Sequence, residues 1–214
     1  DIGWTQNLQD FEWRKGNYTD PKGMLKKLKA NGFKMIVSQD PVISKKDNKQ
    51  YLEANKLGYF VKDVRTDKAY EMPWPWGGNC GVVDFTLPAV ADWWGKYQQK
   101  PLDDGISGFW TDMGEPAWSN EEDIDRLNMK HNLGMHDEIH NVFGLTWDKV
   151  VKEQFEKNDP IKNFESKVLE KKLMTREEMD AIKAEAKKGL EEAIKFAKDS
   201  PFPDPSELYE DLYV

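Results

Sequence analysis

Residues 105–118 read GISGFWTDMGEPAW and set two carboxylates, Asp112 and Glu115, close together in the second half of the run. A surface helix surrounds its charge with Lys, Glu and Ala, whereas these acids are framed by Phe109, Trp110, Met113 and Trp118. Burying an ionised carboxylate is costly unless it is paired or neutralised, so acids in such a frame serve a purpose other than solubility. The run ahead of them, GISGFW, is short, apolar and punctuated by Gly. It predicts a strand that delivers Asp112 just past its carboxyl end.

Working outward, the first part of the chain alternates helical and strand-like runs. Residues 21–32, PKGMLKKLKANG, start on Pro, carry Met24, Leu25 and Leu28 at helical spacing and close on Gly, all signals of a helix. Residues 33–38, FKMIVS, read as a buried strand, 51–58 as a helix, 80–85 (CGVVDF) as a strand and 88–97 as a helix. A β-α-β-α rhythm implies a parallel sheet with its helices outside. In a parallel α/β barrel the active site lies at the carboxyl end of the strands, where the strand-to-helix loops converge. Asp1 with Trp4, Asp40 after FKMIVS and Asp84 after CGVV hold positions equivalent to that of Asp112. Four acids are therefore expected at one end of the sheet. For Asp40-Pro41 and Asp20-Pro21 the plainer reading, a turn or a helix cap, is preferred.

Composition narrows the classes of function. A formal net charge of −8 over 214 residues argues against a nucleic-acid surface, which needs a clustered Lys/Arg field. No apolar run approaches the ~20 residues that span a bilayer, so no membrane role is expected. The opening DIGWTQNLQD has neither the basic start nor the apolar stretch of a signal peptide, and the cytoplasm is the favoured compartment. The chain starts without Met, on residues that read as the loop after an absent strand, and truncation at the front is expected. Cys80 is the single cysteine, which excludes an internal disulfide and any multi-cysteine metal site.

At this point the residues resemble a family. WTDMGEP at 110–116 is similar to the nucleophile signature of glycoside hydrolase family 31, the retaining α-glucosidases, α-xylosidases and related transferases. DIGWTQNLQDFEW at 1–13, residues 19–44, VDFTLPAVADWW at 83–94 and HNVFGL at 140–145 resemble further motifs of that family, in order. The resemblance covers residues 1 to about 158 and implies a partial (β/α)8 barrel acting on an α-linked carbohydrate. It makes Asp112 the catalytic nucleophile and implies sugar contacts from Asp1, Ile2, Ile43, Trp110 and Met113. A retaining glycosidase needs one ionised carboxylate to attack the anomeric carbon and a protonated carboxyl about 5–5.5 Å away to protonate the leaving oxygen. The family's acid/base aspartate lies downstream of the nucleophile, and the family-like sequence here stops near Asn158, so the apparatus is expected to be incomplete. Glu115 belongs to the nucleophile motif and is not that acid.

After Asp159 the chain turns to Lys, Glu and Ala without Trp, which places a domain boundary at 158/159. Residues 159–214 resemble the C-terminal end of the α subunit of thiamine-diphosphate-dependent 2-oxo acid dehydrogenases, without any thiamine-binding residue. Thr175 with Glu178 forms a capping-box pattern, and a helix over 176–198 is expected to turn Met179, Ile182, Ala186 and Leu190 toward the protein. No cofactor is expected.

Two rival signals are weaker. His136 and His140 in HDEIH would share one helix face, as zinc ligands do. Asp137 stands where the zinc-protease motif needs Glu and no third ligand is suitably spaced, so no metal is expected. Gly77-Gly78 after Trp74-Pro75-Trp76 opens no helix and reads as a loop, not a phosphate cradle. Three readings of function follow: an α-glycosidase present as a fragment or fusion; an interaction protein that docks its helical tail to a dehydrogenase β subunit; or an artificial chain joining two family-like pieces.

Overall fold

The computed structural model describes residues 2–115, 123–157 and 160–201. The chain divides into two compact units, Asp1–Lys157 and Asn158–Val214.

After a short 3-10 turn at Ile2–Trp4, the first unit runs through α1 (Pro21–Ala30), β1 (Ile36–Gln39), β2 (Val42–Ser44) and α2 (Lys49–Leu57). β3 (Lys62–Asp63), β4 (Glu71–Trp74), β5 (Gly78–Val82), α3 (Pro88–Asp104) and β6 (Gly108–Thr111) follow. A second 3-10 segment at Asp123–Asn128 leads to β7 (Met129–His131), β8 (Gly134–Met135) and α4 (His136–Lys157). The helices begin where local chemistry starts them. Asp20 caps α1 by accepting from the Gly23 N–H, Pro21 holds its first turn, and Asn48 caps α2 by accepting from Gln50 and Tyr51.

β1 and β6 pair in parallel, Ile36 with Gly108 through Gln39 with Thr111. α3 supplies the crossover that a parallel pair requires. Between β1 and α3 the chain makes an excursion, in which β2, β5 and β4 form an antiparallel sheet. β3, β7 and β8 form a second antiparallel sheet. The expectation of uniformly parallel strands is corrected here: among the described residues the β1–β6 pair alone is parallel. The run 80–85 fits a hairpin arm as well as a barrel strand, because an apolar stretch opened by Gly residues carries no signal of strand direction. β5 turns back on β4 through Gly77 and Gly78, the latter at φ 67. The run 33–38 joins its strand late. The Phe33 N–H still closes onto Leu28 O at 2.9 Å as α1 unwinds through Gly32 at φ 82, so pairing starts at Ile36.

Aromatic side chains bind the layers together. Phe85 stacks on Trp147 of α4 at 5.8 Å and meets Trp94 of α3 edge-on at 5.1 Å, while Phe11 packs edge-on against Trp94 at 5.1 Å. Such pairs add about 0.5–1.5 kcal/mol each beyond the area they bury. Trp4 and Trp13 meet at 5.1 Å in a second cluster with Leu25, Val37 and Ile106. The Trp4 indole donates to Ser38 O at 2.8 Å, which ties the opening segment to β1.

In the second unit α5 (Pro160–Glu170) and α6 (Arg176–Asp199) are joined by an ion pair between Lys183 and Glu165 at 2.7 Å. The capping box is present: Thr175 accepts from the Glu178 N–H, and Glu178 reaches back to the Thr175 N–H. The expected apolar face is only partly covered. Met179 is buried, but Ile182 and Leu190 are 54% and 61% exposed and Ala186 is exposed as well. α6 is supported instead by its cap and by i,i+4 pairs such as Lys187–Glu191 and Lys188–Glu192, which need no burial.

Candidate active site

β6 alternates its side chains between two faces. Phe109 points to one side, its ring 5.6 Å from that of Phe155 on α4. Trp110 points to the other and is 53% exposed. Asp112, two residues on, returns to the Trp110 face. Its N–H donates to Gln39 O at 2.9 Å, which extends the parallel register by one residue. Asp40 and Asp112 therefore lie across from one another, each just past the carboxyl end of its strand.

The turn after Asp112 is tight. Met113 adopts φ 57, a left-handed conformation that costs a residue with a Cβ about 1 kcal/mol. Asp112 Oδ1 accepts from the Met113 N–H at 2.9 Å, which fixes the carboxylate. Gly114 then packs on α4, where a Cβ would stand 3.3 Å from Trp147 Cε3 and 3.4 Å from Gly144 Cα. The two motifs WTDMGEP and HNVFGL thus meet through a pair of glycines.

Asp40 is the residue that sequence reasoning set aside. It is fully buried. Its Oδ2 accepts from the indole N–H of Trp74 at 2.7 Å and of Trp76 at 2.9 Å, while Oδ1 has no partner among the described residues. Gln9 donates to its carbonyl at 2.9 Å. Burial is the main force raising its pKa, to about 6; Asp112 and Glu115 add like-charge repulsion, and the two indoles pull the other way. The available signal was an acid placed between two apolar runs, MIVS and PVIS, with indole donors nearby in WPW.

The remaining predicted residues are placed as follows. Ile43 is fully buried in β2 and offers no exposed surface. Ile2 lies in the opening 3-10 turn and Met113 directly beyond Asp112. Glu115 is exposed. Asp1 and residues 116–118 lie outside the described residues. Asp84, expected beside Asp112, is committed elsewhere, because its strand β5 belongs to the antiparallel sheet. Its Oδ1 accepts from the Thr86 N–H and hydroxyl, and its Oδ2 from the Asn132 N–H at 2.7 Å; burial pushes its pKa up, but His131, whose Nδ1 lies 3.7 Å from Oδ1, and then these bonds hold it below the ordinary value. A cleft of about 500 Å³ opens beside Trp76, lined by Gln6, Asn7, Arg14 and Asn79 among others.

His131 and the two HDEIH histidines form a chain in which His131 and His136 are buried and His140 is half-buried. His131 Nε2 stands 3.0 Å from His136 Nδ1, and His136 Nε2 stands 3.2 Å from His140 Nδ1. A neutral imidazole has one donor and one acceptor, so three in line are satisfied when all carry the proton on the same nitrogen. Burial, and then the neighbouring imidazoles, push the His136 pKa down to about 4. Among the described residues no group of three His, Cys, Asp or Glu side chains is arranged to hold a metal ion.

Fold and site together define a mixed α/β protein whose acids gather past the ends of a parallel strand pair, beside exposed indoles. Residues 1–179 match the TIM-barrel domain of glycosyl hydrolases family 31, and the chain belongs to that family. It is 32% identical over 151 residues to a probable glucan 1,3-alpha-glucosidase of Arabidopsis thaliana, covering 67% of this chain and 16% of the relative. Alpha-xylosidase XylQ of Lactiplantibacillus pentosus is 32% identical over 161 residues, covering 72% of this chain and 19% of that protein. Among solved structures, a family 31 dextranase of Flavobacterium johnsoniae complexed with glucose superposes with a TM-score of 0.71 at 74% identity, covering 75% of this chain and 20% of that one. A variant of the same dextranase complexed with isomaltotriose gives a TM-score of 0.71 at 73% identity, with the same coverage. The chain thus spans about a fifth or less of each relative's length.

Proposed function

We propose that this chain carries the nucleophile of a retaining α-glycosidase, with Asp112 in that role and α-linked glucosides as the substrate class. The observation that carries the reading is the position of Asp112: one residue past a parallel strand, held by its own turn, on the face of exposed Trp110. In this mechanism Asp112 attacks the anomeric carbon, the bond to the leaving oxygen breaks, and water later hydrolyses the glycosyl ester. Trp110 and Trp76 supply flat apolar faces for sugar C–H groups. The 74% identity to a dextranase supports an α-glucan as substrate, and the kinship with an α-xylosidase supports including α-xylosides in the first screen. We read residues 1–158 as part of a (β/α)8 barrel in which β1 and β6 are neighbouring strands; their parallel register supports this.

The test is turnover of 4-nitrophenyl α-glucoside and α-xyloside, whose leaving group departs without a proton. Asp112→Asn is expected to lower turnover by about 10³-fold or more. Undiminished turnover in that variant would remove Asp112 from the role.

A second reading concerns the tail. We infer from its resemblance to the dehydrogenase α subunit that residues 159–214 dock to a protein partner, and the exposed Ile182, Leu190 and Ile194 of α6 support this. Failure of a dehydrogenase β subunit to retain the chain in a pull-down, or retention undiminished by Leu190→Glu, would count against it.

A further inference from the structure

We propose that Asp40 is a positioning residue that clamps the indoles of Trp74 and Trp76 through one carboxylate oxygen and so fixes the exposed ring of Trp76 as a wall for the sugar beside Asp112. The proposal rests on the glycosidase reading for the identity of the ligand, not for the clamp itself.

One acceptor shared by two indole N–H groups fixes the rings relative to each other. Trp74 is buried in the core and serves as the anchor, whereas Trp76 is 49% exposed and sits on the turn that Gly77 and Gly78 make between β4 and β5. Without the bond from Trp76 Nε1 to Asp40, no other hydrogen bond described for this side chain ties it to β1. A neutral acceptor would have been enough to anchor a hairpin. This chain instead keeps a fully buried carboxylate with an unpartnered oxygen, next to two further acids, at an energetic cost that a plain structural contact does not require. Charge-assisted bonds are about twice as strong as neutral ones, which suits holding an exposed ring in one orientation. The titratable groups facing Asp40 are Asp112 and Glu115 beyond β6 and the Cys80 thiol on β5, whose pKa is raised by burial and then by Asp40.

The test uses the indole N–H resonances of the whole ¹⁵N-labelled chain, with Trp74 and Trp76 assigned from Trp74→Phe and Trp76→Phe. In the wild type these two resonances are expected to move together with one midpoint as Asp40 titrates, and Asp40→Asn is expected to abolish that movement. Isomaltotriose is expected to shift the Trp76 resonance. Its Kd should rise about tenfold or more in Asp40→Leu and by a smaller factor, about threefold, in Asp40→Asn, whose carbonyl still accepts but without the charge. Indoles that titrate independently, or an Asp40→Leu chain that binds like wild type, would overturn the proposal. Should Asp40→Leu not fold, the wild-type titration and Asp40→Asn still decide it. Coupled indoles in a wild-type chain that does not bind isomaltotriose would support the clamp and count against the glycosidase reading.

Discussion

Replacing Asp40 by Asn changes stability in a way that depends on pH, and the dependence follows from the site. Burial and the nearby acids raise the folded-state pKa of Asp40 from 3.8 to about 6. The sign is that of a raised acid: the native state holds the proton more tightly than the unfolded chain does. The charged form therefore destabilises the fold, not at all below the unfolded pKa and fully above about 6. The full effect is about 3 kcal/mol, of which about 2 kcal/mol develops between pH 4.5 and pH 8. Asn does not titrate. Its other effects, a carbonyl that still accepts from the indoles and an amide in place of the unpartnered oxygen, are the same at both pH values and cancel in the difference. Asp40→Asn is thus expected to be more favourable relative to wild type at pH 8 than at pH 4.5, by about 2 kcal/mol. Urea unfolding followed by Trp fluorescence measures this in the first unit, because every Trp lies before residue 148. Equal stability differences at the two pH values would refute the account of Asp40 as a buried, charge-strained carboxylate.

His136 should slope the other way. Its folded-state pKa is depressed to about 4, so the unfolded chain binds more protons between pH 4 and 6.5 and stability falls as pH drops through that window, by at most about 3 kcal/mol. Denaturant titrations should find wild type nearly flat there, because Asp40 and His136 oppose each other, and His136→Gln losing stability as pH rises through the window, with the Asp40 slope left alone. Gly114→Ala should cost about 1–2 kcal/mol of unfolding free energy, because its methyl meets Trp147 and the Gly144 backbone at 3.3–3.4 Å. Thr175→Ala removes the reciprocal cap of α6 and should cost about 1 kcal/mol, read as faster amide exchange over residues 176–180.

Several elements were legible in the sequence because their signals are local. α1 and α6 begin at the expected residues, where Pro21 with Asp20 and Thr175 with Glu178 act within one turn. The strand leading to Asp112 was legible because a short apolar run ending in framed acids has few other uses. Partner choice between strands was not. Residues 80–82 pair antiparallel with β2 and β4 through contacts distant in sequence, and Asp84 beyond them is committed to a cap joined to the loop after β7. Asp40 was set aside on the strength of the Pro that follows it, since nothing within a few residues reveals that two indoles more than thirty positions away donate to its carboxylate. The α6 face was misjudged for the opposite reason: helical periodicity reports where apolar residues lie, not whether anything covers them.

The central claim is that Asp112 is the nucleophile. It is tested most directly by incubating the chain with 5-fluoro-α-glucosyl fluoride, whose fluoride leaves without protonation, and locating the trapped sugar by peptide mass spectrometry. The account predicts an ester on Asp112 that is absent from Asp112→Asn; a sugar on Asp40 or Glu115, or labelling that persists in Asp112→Asn, would contradict it.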